Sequence, residues 1–184
     1  MAKVREVATT TELMQLLEQS GILRPAELRK AQQVAAETTS CALLARRLVA
    51  LKIITRWQAS QLLVGWTKLR LGKYVLRSQI GRGNFGRVFL AEHTQLEREV
   101  AIKTLSRRFT QYPEIVERFL TDAREVATLD HRNILHVFDV DSDDDQFFLV
   151  MEYVRGCDLR RRVEQTGPLA IEVAANYLGQ AAAG

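Results

Sequence analysis

The chain has 184 residues, 47% of them hydrophobic and 26% charged, with 26 Lys and Arg against 22 Asp and Glu for a formal net charge of +4. This is the composition of an ordinary folded chain with room for one modest domain and a small one, and it excludes low-complexity disorder. No apolar run reaches the roughly 18 residues that a membrane helix needs, residues 1–6 lead into polar threonines rather than an apolar signal core, and Cys41 and Cys157 form no metal-ligand cluster and suit reduced thiols in a cytosol.

Residues 1–70 carry helical signals. From Glu12 to Gln19 an apolar stripe of Leu13, Leu16 and Leu17 ends at Ser20 and Gly21, a good helix stop. Pro25 suits the first turn of a second helix through Leu28, Ala31, Val34 and Ala35. Ser40 is placed to cap a third, through Leu43, Leu44, Arg47 and Leu48, and Thr55 a fourth, through Trp57, Ala59, Leu62, Leu63 and Trp66. The stretch 16–28 is echoed by 48–59: helix, tight turn with two aliphatics, capped helix. Two helical hairpins packed into a four-helix unit are therefore expected. The unit is basic, eleven Lys and Arg against five Glu giving +6 and leaving fifteen against seventeen, or −2, for the rest. Its charges are spread through the helices, with no run of five. The reading preferred is a solvated surface that docks on the slightly acidic remainder or on a partner protein, with no nucleic acid expected. Trp57 and Trp66 read as core or interface anchors.

From residue 71 the pattern turns to strands. Tyr74, Val75 and Leu76 precede a turn with three glycines, Gly81, Gly83 and Gly86, and a β-rich run from Arg87 to His93 follows it. A dinucleotide-binding turn with this spacing would open a helix, and a Walker loop would continue with Gly-Lys-Ser/Thr; neither does. Strand, glycine turn, strand is a hairpin able to fold over phosphates, since glycine lets backbone N–H groups approach an anion with no Cβ in the way. Farther on, a strand that buries Val100 and Ile102 turns Ala101 and Lys103 to its other face. That places a compact ammonium beside a surface small enough for a base to lie on.

These motifs, with His131, Arg132, Asn133 and Ile134 and with the run 148–156, resemble in order the N-terminal lobe of bacterial Hanks-type (eukaryotic-like) Ser/Thr protein kinases, over residues 71–184. The resemblance implies an α+β fold: a small all-α module over 1–70, a lobe over 71–156 built of a five-stranded antiparallel sheet and one long helix, and over 157–184 the start of a second lobe. The helical extension resembles the segment that precedes the kinase domain in some planctomycete-type kinases. The implied ligand is ATP, with residues 80–88 covering its phosphates: Ile80, Gly81, Arg82, Gly83, Asn84, Phe85, Gly86 and Val88. Lys103 would orient the phosphates, Ile80, Val88 and Ala101 would roof the base, Met151 would stand at the gatekeeper position, the backbone of Glu152 and Val154 would hydrogen-bond adenine, and Asp158 would face the ribose. The glutamate that pairs with the lysine in this family aligns with Asp122, one methylene shorter, roughly 1.5 Å less reach. Glu125, its i, i+3 neighbour, is the alternative.

The implied reaction is transfer of the γ-phosphoryl group of ATP to a Ser or Thr hydroxyl of a protein, in the cytoplasm; the family often places a membrane span after the kinase domain. The His-Arg-Asp catalytic loop and the Asp-Phe-Gly magnesium motif do not occur in these residues. Mg2+ would thus be held by residues outside the chain, and the chain by itself is expected to be inactive. Ile171, Ala174, Ala175 and Leu178 recur at core-facing helical spacing, so a truncated lobe is expected, with residues after about 165 frayed, self-associated or docked on another chain. The alternative reading is a non-catalytic kinase-like scaffold or interaction module. Between the last two strands, residues 141–145 (Asp-Ser-Asp-Asp-Asp) read as a solvated acidic turn without calcium-loop spacing.

Overall fold

The structure is a computed structural model and describes residues 7–184; the start of the chain, residues 1–6, lies outside the described residues. Four helices come first: α1 (Thr10–Gln19), α2 (Pro25–Ala36), α3 (Cys41–Ala50) and α4 (Arg56–Leu63). Three of their starts follow the local chemistry, whereas Ser40 stands at the N-cap of α3 without a side-chain hydrogen bond to it. Thr9 Oγ1 accepts the Glu12 N–H at 3.1 Å, which begins α1 at Thr10, two residues before the expected start at Glu12. Pro25 fills the first turn of α2, where its missing N–H costs nothing, and the Glu27 carboxylate accepts the Arg24 N–H at 2.9 Å. Thr55 and Gln58 form a reciprocal capping box on α4, at 3.1 and 2.8 Å. The four helices close on one core in which Leu13, Leu44, Leu48 and Leu62 are fully buried. Each such leucine contributes about 1.5–3 kcal/mol by leaving water. Cys41 shares this core; burial, with Glu12 adding a smaller effect, pushes its thiol pKa up, whereas Cys157 is exposed.

A sheet follows: β1 (Arg70–Leu71), β2 (Tyr74–Arg82), β3 (Gly86–His93), β4 (Arg98–Leu105), β5 (Val137–Asp143) and β6 (Gln146–Glu152). The order is β1-β2-β3-β4-β6-β5 with every pair antiparallel. It holds the five expected strands plus the two-residue β1 at one edge. Short α5 (Arg107–Thr110) and long α6 (Pro113–Ala127) lie between β4 and β5, and α7 (Leu159–Thr166) and α8 (Ile171–Ala183) end the chain.

Strand alternation gives the sheet two chemically distinct faces. On one, Leu76, Phe89, Val100, Ile102 and Phe148 form a core that Trp57 and Trp66 join from the helical side. Trp57 lies 5.5 Å from the Phe89 ring and 5.8 Å from Trp66, edge-on to the latter. On the other, Ala101, Val137 and Met151 cluster with Val88 and Leu149. Because β1 pairs only with Tyr74 and Val75, the carbonyls of Leu76 and Arg77 would stand at an open edge. The start of α4 supplies their donors. Gln58 Nε2 donates to Leu76 O at 2.7 Å and Thr55 Oγ1 to Arg77 O at 2.6 Å. Gln58 is fully buried, so Gln58→Ala leaves a carbonyl and a capped N–H without partners at once. The expected cost is about 2 kcal/mol of unfolding free energy, to be read from urea melts; an unchanged midpoint would mean that the edge has no need of this side chain.

Three basic residues tie the helical segment to the sheet, Arg24 and Lys68 from the helical side and Arg70 from β1. Arg24 pairs with Glu97 at 3.0 Å, Arg70 donates to Gly21 O and Gly72 O, and Lys68 holds Asp144 at 2.9 Å. The last contact alters the expected acidic turn. Residues 141–143 belong to β5, the reversal is confined to Asp144 and Asp145, and Lys68 also donates to Asp143 O. The Lys68 hydrogen bond and charge hold the Asp144 carboxyl below its ordinary value, with Arg107 adding to the effect. The sign follows: the contribution of the contact is present above the ordinary aspartate pKa and is lost as pH falls through the lowered one. At the other end α8 is a continuous helix whose Gln180 carbonyl accepts from Asn133 Nδ2 at 2.8 Å, while Ile171 and Leu178 are exposed.

Candidate functional site

The glycine turn joins β2 to β3 and leans on the segment after β4. Gly83 N–H donates to Gly86 O at 2.9 Å, Ser106 N–H to Phe85 O at 2.7 Å, and Arg108 Nη2 to Asn84 O at 2.5 Å; the Phe85 and Phe109 rings lie 5.4 Å apart. Its glycines are not equivalent. A Cβ on Gly86 would collide with the Thr104 carbonyl oxygen and stand 2.9 Å from its carbon, whereas a Cβ on Gly83 meets nothing within 4 Å. Gly86 is there for close approach of β4 to β3. Gly83 leaves open space beside the tip, although its own N–H is taken by Gly86 O.

Register places the lysine. Val88 pairs with Lys103 and Leu90 with Ala101 across β3 and β4, while Lys103 faces Leu149 and Ala101 faces Met151 across β4 and β6. Directly opposed residues share a face, so Val88, Ala101, Lys103 and Met151 are together on one. Ala101 and Met151 are buried, Val88 is half-buried, and Lys103 is exposed at the end of the patch, next to Val88 and hence to the glycine turn. Among the described residues Lys103 has neither an ion pair nor a side-chain hydrogen bond. Ile80, at 46% exposure, flanks this end of the sheet. A flat, half-apolar surface ending at a single free ammonium and a bare backbone turn fits a ligand with an apolar ring at one end and an anion at the other. That match in the donor set is the test on which an ATP-like group passes.

The remaining positions are arranged less directly. Asp122 lies on α6 with its side chain 64% exposed and 3.8 Å from Arg118 Nε, one helical turn away. Glu125 is exposed on the same helix. Neither forms an ion pair with Lys103 in this structure; α6 buries only Ala123 and packs against β5. Glu152 ends β6 with its N–H donating to His136 O at 2.9 Å, and Val154 stands 63% exposed beyond it. Asp158 Oδ1 accepts the Arg161 N–H at 2.7 Å and caps α7, a local role that Asp followed by a helical run signals. Sequence reasoning missed the tether of the turn through Arg108, Ser106 and Phe109, and no local pattern points to it. Among the described residues no cluster of His, Cys, Asp and Glu is arranged to hold a metal ion, and no helix is long and apolar enough to cross a membrane.

The family model described as "Protein kinase domain" matches residues 74–184. Serine/threonine-protein kinase PrkC of Bacillus subtilis is 38% identical over 109 residues, which is 59% of this chain and 17% of PrkC. Serine/threonine-protein kinase Pkn1 of Myxococcus xanthus is 37% identical over 123 residues, 67% of this chain and 17% of Pkn1. The chain thus spans about a sixth of the length of these curated relatives. Among solved structures, the PknI kinase domain of Mycobacterium tuberculosis is similar at 27% identity with a TM-score of 0.50, over 58% of this chain and 43% of that one.

Proposed function

We propose, on the premise that this chain belongs to the protein kinase family, that residues 71–156 are the ATP-binding lobe of a Ser/Thr protein kinase. Residues 1–70 form a helical unit beside it, and 157–184 begin a second lobe. The observation that carries the reading is the register that sets Lys103 on the same face as Val88, Ala101 and Met151, beside the glycine turn. In this reading the base lies on Ala101 and Val88 with Met151 behind it. The backbone of Glu152 and Val154 bonds its edge, and the carboxylate of Asp158 meets the ribose while still capping α7. The N–H groups around Gly83 and the Lys103 ammonium meet the phosphates, orienting the γ-phosphoryl group toward a protein hydroxyl.

Asp122 or Glu125 becomes the partner of Lys103 only if α6 rotates, since Asp122 is engaged with Arg118 here. The catalytic base and the Mg2+ ligands lie outside the chain, so these residues bind nucleotide without transferring phosphate. The reduced thiols of Cys41 and Cys157 are consistent with work in the cytoplasm.

The test is an amide NMR titration of the 184-residue chain with a non-hydrolysable ATP analogue. Shifts should concentrate at residues 80–88, 101–103 and 151–154. Absence of shifts at millimolar analogue, or shifts confined to the helical unit, would favour a non-catalytic scaffold instead.

A further inference from the structure

The other face of the sheet borders a cavity of about 450 Å³ that shares Arg82, Gly83, Asn84 and Gly86 with the glycine turn but none of Val88, Ala101, Lys103 or Met151. Its apolar lining is the half-buried Trp66, with the core residues Leu71, Leu76 and Phe89 packed beneath it. The register shows that it is the reverse side: Arg87 pairs with Thr104 and Phe89 with Ile102, out of phase with the Val88 and Lys103 pair. Its rim is cationic, with Lys68, Arg82, Arg87, Arg107 and Arg108 around the opening. Two of these are committed elsewhere, Lys68 to Asp144 and Arg108 to the Asn84 carbonyl and the Phe109 ring. Arg82, Arg87 and Arg107 are exposed and, among the described residues, have no ion pair and no hydrogen bond from the guanidinium; Arg107 acts on Asp144 only through space.

We propose that this cavity binds a phosphate monoester carried on an apolar group. Three unpaired guanidinia around one opening match a dianion with three acceptor oxygens, which planar two-pronged donors bind better than a lone carboxylate. The half-buried Trp66 takes the organic part, and the volume lies within the roughly 300–1,000 Å³ of small-ligand sites. Solvated surface arginines are common, but these three line one cavity together with Trp66 of the segment that follows α4. The site therefore exists only where the helical unit meets the sheet. Its ligand would stand behind the same glycine turn whose front is proposed to meet ATP.

Trp66 lines the cavity, so tryptophan emission of the full chain reports occupancy. Phenyl phosphate is the probe, with phenol and inorganic phosphate as half-ligands and an alanine heptapeptide with a central phosphotyrosine as the second arm. Phenyl phosphate should bind with a Kd of about 1 mM or tighter, and each half-ligand at least tenfold more weakly. Tighter binding of the peptide would assign the site to a phosphorylated protein side chain, and weaker binding to a small phosphate metabolite; the site stands in both cases. The double variant Arg87→Gln/Arg107→Gln should lose about 100-fold in affinity, at roughly tenfold per guanidinium, with an unchanged circular dichroism spectrum. Lys103→Met, on the opposite face, should bind like the parent. No emission change up to about 10 mM probe, well beyond any specific affinity, or equal binding by the double variant, or loss of binding in Lys103→Met, would overturn the proposal.

Discussion

Lys103→Met lowers phosphoryl transfer by about two to three orders of magnitude when the chain is continued by a lobe that carries the catalytic loop and magnesium ligands, and it leaves the melting of the 184-residue chain unchanged. The two halves of this expectation have different physical sources. Lys103 is exposed and free of ion pairs and side-chain hydrogen bonds among the described residues, so methionine removes no buried contact; exposed changes of this kind stay within about 0.5 kcal/mol. The ammonium is also the cation on the face shared with Val88, Ala101 and Met151. Removing a preorganised charge at the point where phosphate charge develops typically costs that much in rate. Radiolabel transfer from γ-labelled ATP to a protein acceptor, with kcat and KM resolved separately, checks it. A variant retaining more than about a tenth of the parental kcat, a loss under 1.4 kcal/mol, would remove Lys103 from the machinery, whatever the NMR titration with nucleotide shows.

Gly86→Ala is expected to destabilise the chain by about 3 kcal/mol or more, whereas Gly83→Ala, three residues away in the same turn, should change stability by less than about 0.5 kcal/mol. The cause is the neighbour, not the turn. At Gly86 the added methyl meets the Thr104 carbonyl, backbone that is itself paired in the β3–β4 ladder and has no rotamer through which to yield. The strands must separate there, and the bond from Ser106 N–H to Phe85 O lies directly beside the breach. At Gly83 the methyl enters open space. Urea unfolding of the two variants side by side decides the matter, and equal midpoints would mean that β4 does not approach β3 as closely as described. Gly83→Ala should instead act on the ligand side, since a methyl at the tip crowds the path of a phosphate to the backbone.

Much of this architecture could be read from local chemistry. Thr55 as a helix cap, Pro25 at a helix start, and the alternation of Val100, Ala101, Ile102 and Lys103 each specify their structure through neighbours within four residues. All three are found as expected. The acidic turn was less legible. Its composition suggests solvation, yet three of its residues continue β5, because Phe147 and Phe148 on β6 supply the ladder that carries Ser142 and Asp141 along. The site divides in the same way. Which residues flank the glycine turn follows from motif order, whereas the pairing of Lys103 with Asp122 or Glu125 depends on how α6 is rotated, and the motif carries no information on that angle.

The sequence alone determined the element types, the glycine turn, the lysine and the family, because each rests on spacing within one strand, turn or helix, where chain connectivity holds the partners together. Tertiary structure alone decided three other matters. It seated α4 on the open edge of β2, through Gln58 and Thr55. It made Gly86 rather than Gly83 the sterically intolerant glycine. It brought Trp66, Arg87 and Arg107 around one cavity from segments far apart in the chain. The physical reason is common to all three: edge carbonyls, a colliding oxygen and a shared cavity are properties of surfaces that meet, and residues distant in sequence show them only once the hydrophobic cores on both sides of β2 have closed.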